Sequence, residues 1–214
     1  DLKKDQSYFL FATTQSQLDY LRFPLGDYKK DTVRKIATEL ELKVRNKPDS
    51  QDICFITNGS YSKMVSKLMP ETYLEGEIVN VDGKIIGRHN GIINYTVGQR
   101  RGIGIGGNID PLYVLDIDAK KNIIVVGSKN NLETTTVFVE RLNWLSKDIK
   151  DEMKCEAKIK SDHEPVPGKI RIINNDNIKF EFNNPVHSIA PGQACVFYQR
   201  NQVLGGGWIK KQIN

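Results

Sequence analysis

The chain of 214 residues is long enough for one large domain or for two or three small ones. A hydrophobic content of 39% is enough to build cores and excludes an intrinsically disordered chain. No run of about 20 apolar residues is present, so the sequence predicts no membrane span. The net charge of +5 suits a polyanionic partner such as a nucleic acid, although many soluble proteins are equally basic.

The first seventy residues have the pattern of helices joined by loops. Val33, Ile36, Ala37 and Leu40 recur at helical spacing, which predicts a helix over 32–42 with Asp31 as its N-cap. A second stripe predicts a helix over 61–68, ended by Pro70. Between them, the polar and proline-broken segment 45–52 is predicted to be a loop.

After Pro70 the pattern changes to strands. Residues 77–81 and 84–88 flank Asp82-Gly83, which predicts a hairpin with a type I′ turn. Residues 113–117 and 123–126 form a second predicted pair. The glycine-rich segment 91–107 lies between the pairs and indicates a backbone in close approach to another group. No helical pattern follows it, so a phosphate-binding loop is not favoured there.

The last eighty residues are predicted to be all β. Residues 154–160 alternate strictly between apolar and polar side chains. Residues 170–173 and 178–182 form one predicted hairpin, and 195–199 and 203–209 form another. Short strands at this spacing predict a small closed or nearly closed antiparallel β-barrel.

The chain has three cysteines, Cys54, Cys155 and Cys195, without CxxC spacing. Neither a disulfide framework nor a cysteine-based zinc site is expected, which favours the reducing cytoplasm. The scattered histidines predict no metal site either. Cys155 falls on the apolar face of its strand and Cys195 in an apolar run, so both are interpreted as core residues. Cys54 follows a polar loop, and its spacing alone fits either a packed thiol or an exposed one.

Five ordered motifs resemble the tRNA-specific 2-thiouridylase family, bacterial enzymes that thiolate the wobble uridine of tRNA. They are KDQSYFL at 4–10, FPLG at 23–26, DSQDICFI at 49–56, YTVGQRRG at 95–102 and PGQ at 191–193. Their order and spacing make the resemblance specific, and it extends through essentially the whole chain.

The resemblance implies an α+β chain in three parts. Residues 1–70 would be a helical remnant of a catalytic domain of the PP-loop ATP pyrophosphatase type. Residues 71–130 would form a small central β-rich domain, and residues 131–214 a C-terminal antiparallel β-barrel. The family binds ATP through an SGGxDS loop that is absent from this sequence. We therefore expect ATP to be bound by an N-terminal region missing here, and this chain by itself to be inactive.

The resemblance also implies a chemistry in two stages. ATP adenylates the uridine carbonyl oxygen, and a cysteine persulfide then supplies sulfur with the help of a second cysteine. The persulfide-bearing position of the family corresponds to Cys54, and the second cysteine belongs to the missing region. A persulfide relay protein is the implied sulfur donor, and a monomer is expected.

The tRNA-contacting positions of the family correspond to Lys4, Asp5, Gln6, the pair Lys160-Ser161, and Gln193. Lys4 suits a phosphate, whereas Asp5 and Gln6 suit base edges. Without the resemblance, Asp5-Gln6 would be interpreted as the cap of a helix or strand. The family usually has Arg-Tyr where this chain has Lys160-Ser161, so the charge is kept and the stacking aromatic is lost.

Two other functions fit parts of the pattern. A basic β-barrel could be a non-catalytic RNA-binding module, which a buried and unreactive Cys54 would favour. A thiol-based redox protein would use Cys54 with a resolving cysteine nearby, but Cys155 and Cys195 are both predicted to be core residues.

Overall fold

A computed structural model describes residues 5–47, 69–106, 110–187 and 189–211. Two compact units are present. One consists of Asp1–Gln51, Thr136–Asn183 and Pro191–Asn214, and the other of Asp52–Thr135 and Asn184–Ala190. The predicted α+β class is confirmed, with few helices and two sheets. The helix predicted over 61–68 lies outside the described residues.

The two α-helices of the described chain are α1 (Gln15–Tyr20) and α2 (Lys30–Glu39). α1 begins with a capping box, in which Thr14 and Gln17 satisfy each other's backbone amides. α2 confirms the helix predicted near 32–42, but the predicted N-cap is wrong. Lys29 occupies that position without a side-chain cap, and Asp31 lies in the first turn, where its charge favours the helix dipole.

α2 also ends earlier than its apolar stripe suggests. Glu41 has a φ of 51°, in the left-handed region. Its amide donates to the carbonyl of Thr38, and the amide of Leu42 donates to the carbonyl of Ala37. These two bonds form a Schellman motif, which satisfies the last carbonyls of the helix. A glycine usually marks such an end, and its absence from the sequence hid the boundary.

The second unit contains a four-stranded sheet in the order β2-β1-β4-β3. Both predicted strand pairs are confirmed, and β1 joins them by pairing parallel to β4. The glycine-rich segment packs Ile103 into the core of this sheet, and Gly87 leaves room for Ile105. The strands are β1 (Glu75–Val79), β2 (Ile85–Asn90), β3 (Tyr113–Asp118) and β4 (Ile123–Gly127).

The turn between β1 and β2 differs from the predicted type I′ turn. Only Gly83 has a positive φ, of 78°, and its amide donates to the carbonyl of Asn80. The amide of Asn80 then pairs with the carbonyl of Lys84. This is a three-residue turn closed by a left-handed glycine. The side chain of Asn80 accepts from the amides of Asp82 and Lys84, which favours the longer turn.

His89 is buried in this unit and is held by two backbone groups. The amide of Gly91 donates to Nδ1 over 3.1 Å, so the ring proton lies on Nε2. Nε2 then donates to the carbonyl of Asn122, also over 3.1 Å. Both ring nitrogens are used by the backbone, so His89 has a structural role.

The other sheet is a closed barrel, which confirms the predicted β-barrel, and its strand order is β10-β5-β8-β7-β6-β9. Closure leaves no unpaired strand edge. β5 was not predicted as a separate strand, and it contains a bulge where the pairing with β10 shifts. The strands are β5 (Glu133–Trp144), β6 (Lys154–Lys158), β7 (Val166–Asn174), β8 (Asn177–His187), β9 (Ala194–Gln199) and β10 (Gln202–Ile209).

The barrel interior contains aromatic and branched side chains. Phe197 of β9 packs against Phe180 of β8 with ring centroids 5.5 Å apart. Cys155 and Cys195 are both buried, which confirms their interpretation as core residues. Fully buried members of the core include Val137, Val139, Ala157, Ile170, Ile178 and Leu204.

Candidate nucleic-acid interface

Residues 5–13, which we call the strap, lie across the outer face of the barrel. The Tyr8 hydroxyl donates to the carbonyl of Ala194 on β9 over 2.9 Å. The Asn143 side chain on β5 donates to the carbonyls of Phe11 and Thr13, over 2.5 and 3.0 Å. The strap therefore crosses from β9 over β10 to β5, and hydrogen bonds attach it at both sides.

Apolar packing holds the middle of the strap. Tyr8 and Phe11 are buried, and the Phe11 ring meets Trp208 of β10 edge-on at 5.5 Å. A Cβ on Gly206 would lie 2.8 Å from the Phe11 ring, so only glycine lets the ring approach β10. Ala194, Val196 and Tyr198 form the outer face of β9 in this cluster. The strap explains why β9 is buried on both faces.

The Asp5 carboxylate folds back onto Ser7 at the start of the strap. One oxygen accepts from the Ser7 amide over 2.8 Å, and the other accepts from the Ser7 hydroxyl over 3.1 Å. The Ser7 hydroxyl also lies 3.2 Å from the Tyr198 hydroxyl. Burial raises the pKa of Tyr198, the Ser7 hydrogen bond opposes this rise, and the charge of Asp5 adds to it. Gln6 is exposed beside this turn, and its side chain makes no cap hydrogen bond.

Lys160, Ser161 and Gln193 lie at one end of the barrel. β6 runs antiparallel to β9 with Lys158 opposite Val196. The residues that follow β6 and those that precede β9 are therefore at the same end. Lys160 is half-buried and Ser161 is exposed.

The strap approaches this end through Tyr8. Burial raises the pKa of Tyr8 to about 12, and the charge of Asp162 contributes to the rise. The Tyr8 hydroxyl is hydrogen-bonded to the carbonyl of Ala194, directly after Gln193, and the residues that follow β6 are at this same end of the barrel.

Gln193 is fixed through its backbone and keeps an unused acceptor. Its carbonyl accepts from the Ile209 amide over 2.7 Å, and the Gly192 amide donates to the Ile209 carbonyl over 2.8 Å. The side-chain Oε1 is buried and has no hydrogen-bond partner among the residues that the structure describes. A buried acceptor without a partner is costly, so this atom suits a donor from a ligand.

The predicted contact positions are therefore gathered on one unit. Asp5 and Gln6 lie on the strap, and Lys160, Ser161 and Gln193 lie at the barrel end that the strap reaches. Lys4 and Cys54 lie outside the described residues, so the structure does not describe the position that the resemblance predicts to carry sulfur.

Three successive family models match the chain. The tRNA methyl transferase HUP domain matches residues 1–58, the tRNA methyl transferase PRC-barrel domain matches 62–128, and the aminomethyltransferase beta-barrel domain matches 134–209. The tRNA-specific 2-thiouridylase MnmA of Orientia tsutsugamushi (strain Boryong) is 50% identical over 99% of this chain. The chain belongs to the tRNA-specific 2-thiouridylase family.

Two further relatives match the chain over a similar length and at a similar sequence identity. The tRNA-specific 2-thiouridylases MnmA of Rickettsia canadensis (strain McKiel) and Rickettsia massiliae (strain Mtu5) are each 48% identical over 100% of this chain. The chain covers 58% of the Orientia tsutsugamushi and Rickettsia canadensis proteins and 59% of the Rickettsia massiliae protein. It therefore spans less than two thirds of the length of these relatives.

Among the described residues, the glycine-rich segment is not followed by the helix that a phosphate-binding loop needs. Gly102 and Gly104 have positive φ values of 74° and 82°. The next element along the described chain is strand β3, not a helix whose N-terminus could meet a phosphate.

No group of three or more potential metal ligands occurs in the described part of the chain. None of its helices is long and apolar enough to cross a membrane.

Neither described cysteine is suited to carry sulfur. Burial raises the pKa of the Cys155 thiol to about 12 and also raises the pKa of Cys195. A persulfide carrier must be a thiolate that its partners can reach, because the thiolate is the nucleophile. Within this chain, Cys54 is the remaining cysteine.

We predict that Cys54 is the fast-reacting thiol of the native chain. Timed alkylation with iodoacetamide at pH 8, followed by peptide mapping, should label Cys54 first, because Cys155 and Cys195 are buried and protonated. Denaturant should then make all three cysteines reactive, which is the control. Early labelling of Cys155 or Cys195, with Cys54 protected, would contradict the prediction and favour a non-catalytic RNA-binding module.

The family motifs do not single out the residues that hold the strap, although KDQSYFL contains Tyr8. Tyr8, Phe11, Asn143 and Trp208 make its hydrogen bonds and ring contacts. One signal was present, the run Gly205-Gly206-Gly207 inside an apolar strand. Consecutive glycines in a strand often mark a close approach of another group, and here Gly206 admits the Phe11 ring.

Proposed function

We propose that the protein containing this chain is an ATP-dependent tRNA sulfurtransferase that converts the wobble uridine of tRNA to 2-thiouridine. Family membership supports this proposal, since the relatives named above are tRNA-specific 2-thiouridylases. The absence of disulfide-pattern cysteines in the sequence suits a reducing cytoplasm.

In this proposal the described residues hold the tRNA. The observation that carries it is the bond from Tyr8 to Ala194, which attaches the strap to the end of the barrel near Gln193. Lys160 would contact a phosphate, and the unused Oε1 of Gln193 would accept from a ribose hydroxyl or a base amino group. Asp5 would act mainly by fixing the strap, because both of its oxygens already accept from Ser7.

The sulfur chemistry would involve Cys54. ATP, bound outside these residues, would make the uridine oxygen a leaving group. The outer sulfur of a Cys54 persulfide would form the new bond to carbon, and that oxygen would depart with its activating group. A second cysteine elsewhere in the complete protein would attack the inner sulfur, leave a disulfide and release the thiolated base. A sulfur-donor protein would then recharge Cys54 after reduction of the disulfide.

We expect the chain to bind tRNA in a salt-dependent way, with Lys160 as one phosphate contact. The logarithm of the affinity should fall with the logarithm of salt concentration at a slope of about −2 to −3, if two or three phosphates are neutralised. Lys160→Ala should weaken binding of all tRNAs alike and make the slope less steep by ~0.7 to 0.9. Filter binding from low to moderate salt measures both quantities.

Lys120→Ala is the matched control, since Lys120 is an exposed lysine in the β3–β4 turn of the other unit. It should change neither the affinity nor the slope by a comparable amount. Undetectable tRNA retention at low salt would overturn the proposed role of these residues.

A further inference from the structure

Arg141 lies in a bulge of β5. Glu140 is opposite Trp208 and Asn143 is opposite Gly206. Two residues of β5, Arg141 and Leu142, therefore face the single residue Gly207 of β10. Arg141 has a φ of 52°. This left-handed conformation is costly for a residue with a long side chain. Bulges and strained backbone conformations of this kind are concentrated at functional sites, where they orient a particular side chain. The bulge therefore turns the Arg141 side chain in a direction that a regular strand would not give.

The guanidinium group of Arg141 lies over the Trp208 ring. Its central carbon is 5.5 Å from the ring centroid, within range of a cation–π interaction. Arg141 is exposed, and within the described part of the chain no carboxylate forms an ion pair with it. The adjacent Glu140 pairs instead with Lys210, over 3.6 Å. The guanidinium is thus held in place while its N–H donors face solvent.

The position of Trp208 relates this cation to the candidate interface. Trp208 is opposite Ala194 on β9, and Ala194 directly follows Gln193. The same ring contacts Phe11 of the strap edge-on. Because Phe11 and Arg141 both contact the ring, Trp208 is poorly placed to stack on a base. The group that remains available to a nucleic acid is the guanidinium.

We propose that Arg141 is a further phosphate-binding residue of the tRNA interface, oriented by the β5 bulge and by Trp208. The inference rests on the proposed function and extends it to a residue outside the family's motif positions. A guanidinium can donate two parallel hydrogen bonds to one phosphate, which an ammonium group cannot. Arg141 would thereby supply an oriented hydrogen-bonding contact to a phosphate, in addition to the charge that Lys160 supplies.

The test compares Arg141→Asn with Arg200→Asn in the 214-residue chain. Arg200 is also exposed and also left-handed, with a φ of 54°, but it lies in the β9–β10 turn at the opposite end of the barrel. Asparagine adopts this backbone conformation more readily than arginine, so neither change should lower the thermal midpoint. Both variants lose the same charge from the same kind of backbone position.

The probe is an unmodified transcript of a tRNA with a wobble uridine. Arg141→Asn should weaken binding about tenfold and make the salt slope less steep by ~0.7 to 0.9. Arg200→Asn should leave the slope unchanged. Arg141→Lys, which keeps the charge but loses the planar fork, should keep the wild-type slope at reduced affinity. If Arg141→Asn lowers the thermal midpoint, Arg141→Gly replaces it, because glycine also accepts this conformation.

The outcomes separate this inference from the proposed function. Wild-type binding that Lys160→Ala weakens, with Arg141→Asn no different from Arg200→Asn, would overturn only the role of Arg141. Undetectable wild-type binding at low salt would overturn both. If Arg141→Asn loses tRNA affinity while Arg200→Asn does not, and the thermal midpoint of Arg141→Asn is unchanged, the phosphate contact of Arg141 would be established.

Discussion

Replacing Cys54 with serine in the complete protein is expected to abolish 2-thiouridine formation. A hydroxyl cannot hold a sulfane sulfur, so no persulfide forms at this position. Activation of the tRNA by ATP should continue, because this step does not need the thiol. Mass spectrometry of nucleosides from digested tRNA measures the thiolated product, and pyrophosphate release measures the activation.

Cys155→Ala is the control for the loss of a thiol. Cys155 is buried in the barrel and its thiol remains protonated near neutral pH, so its removal should leave sulfur transfer intact. Alanine is small and apolar, and the expected cost is limited to stability. Continued formation of 2-thiouridine by the Cys54→Ser protein would exclude Cys54 as the sulfur carrier.

Phe11→Ala is expected to detach the strap from the barrel and to cost about 3–5 kcal/mol of the free energy of unfolding, the usual range for a buried phenylalanine. Phe11 is only 4% exposed, and its ring fills the space that Gly206 leaves on β10. Removal of the ring leaves a cavity beside Trp208. Urea denaturation followed by tryptophan fluorescence measures the loss.

Phe9→Ala is the matched control for this substitution. Phe9 belongs to the same turn of the strap but is 62% exposed, so its removal should cost well under the effect of Phe11→Ala. Phe11→Ala should also weaken tRNA binding, since Asp5 and Gln6 depend on the docked strap for their positions. Equal losses of stability in the two variants would contradict the docking of the strap through Phe11.

The strap changes the interpretation of Asp5. The residue type fits either a helix cap or a contact with a base edge, and the sequence pattern by itself favours the cap. In the structure Asp5 forms a local turn of the capping kind, since both carboxylate oxygens accept from Ser7, although Gln6 occupies the N-cap position itself. The two roles remain compatible, because Asp5 is exposed and each carboxylate oxygen can accept more than one hydrogen bond. Its position on the surface, however, depends on Ser7 and Tyr198.

Local pattern by itself determined much of the barrel. The alternation at 154–160 predicts which face of β6 is buried, because successive side chains of a strand point to opposite faces. The same rule identified Cys155 as a core residue. The hairpin turn at 174–177 was also evident, because Asn and Asp residues favour tight turns. The family motifs identified candidate contact residues without showing that any of them are neighbours.

Only the tertiary structure decided how distant segments meet. The parallel pairing of β1 with β4, the packing of Phe11 on Gly206 and the two bonds from Asn143 join residues that are far apart in the chain. No local periodicity encodes such contacts, because their energy arises from surfaces that exist only once both partners are folded. The β-bulge at Arg141 is likewise decided by the tertiary structure. Its left-handed residue is an arginine, so neither glycine nor asparagine marks it in the sequence, and it depends on pairing with β10.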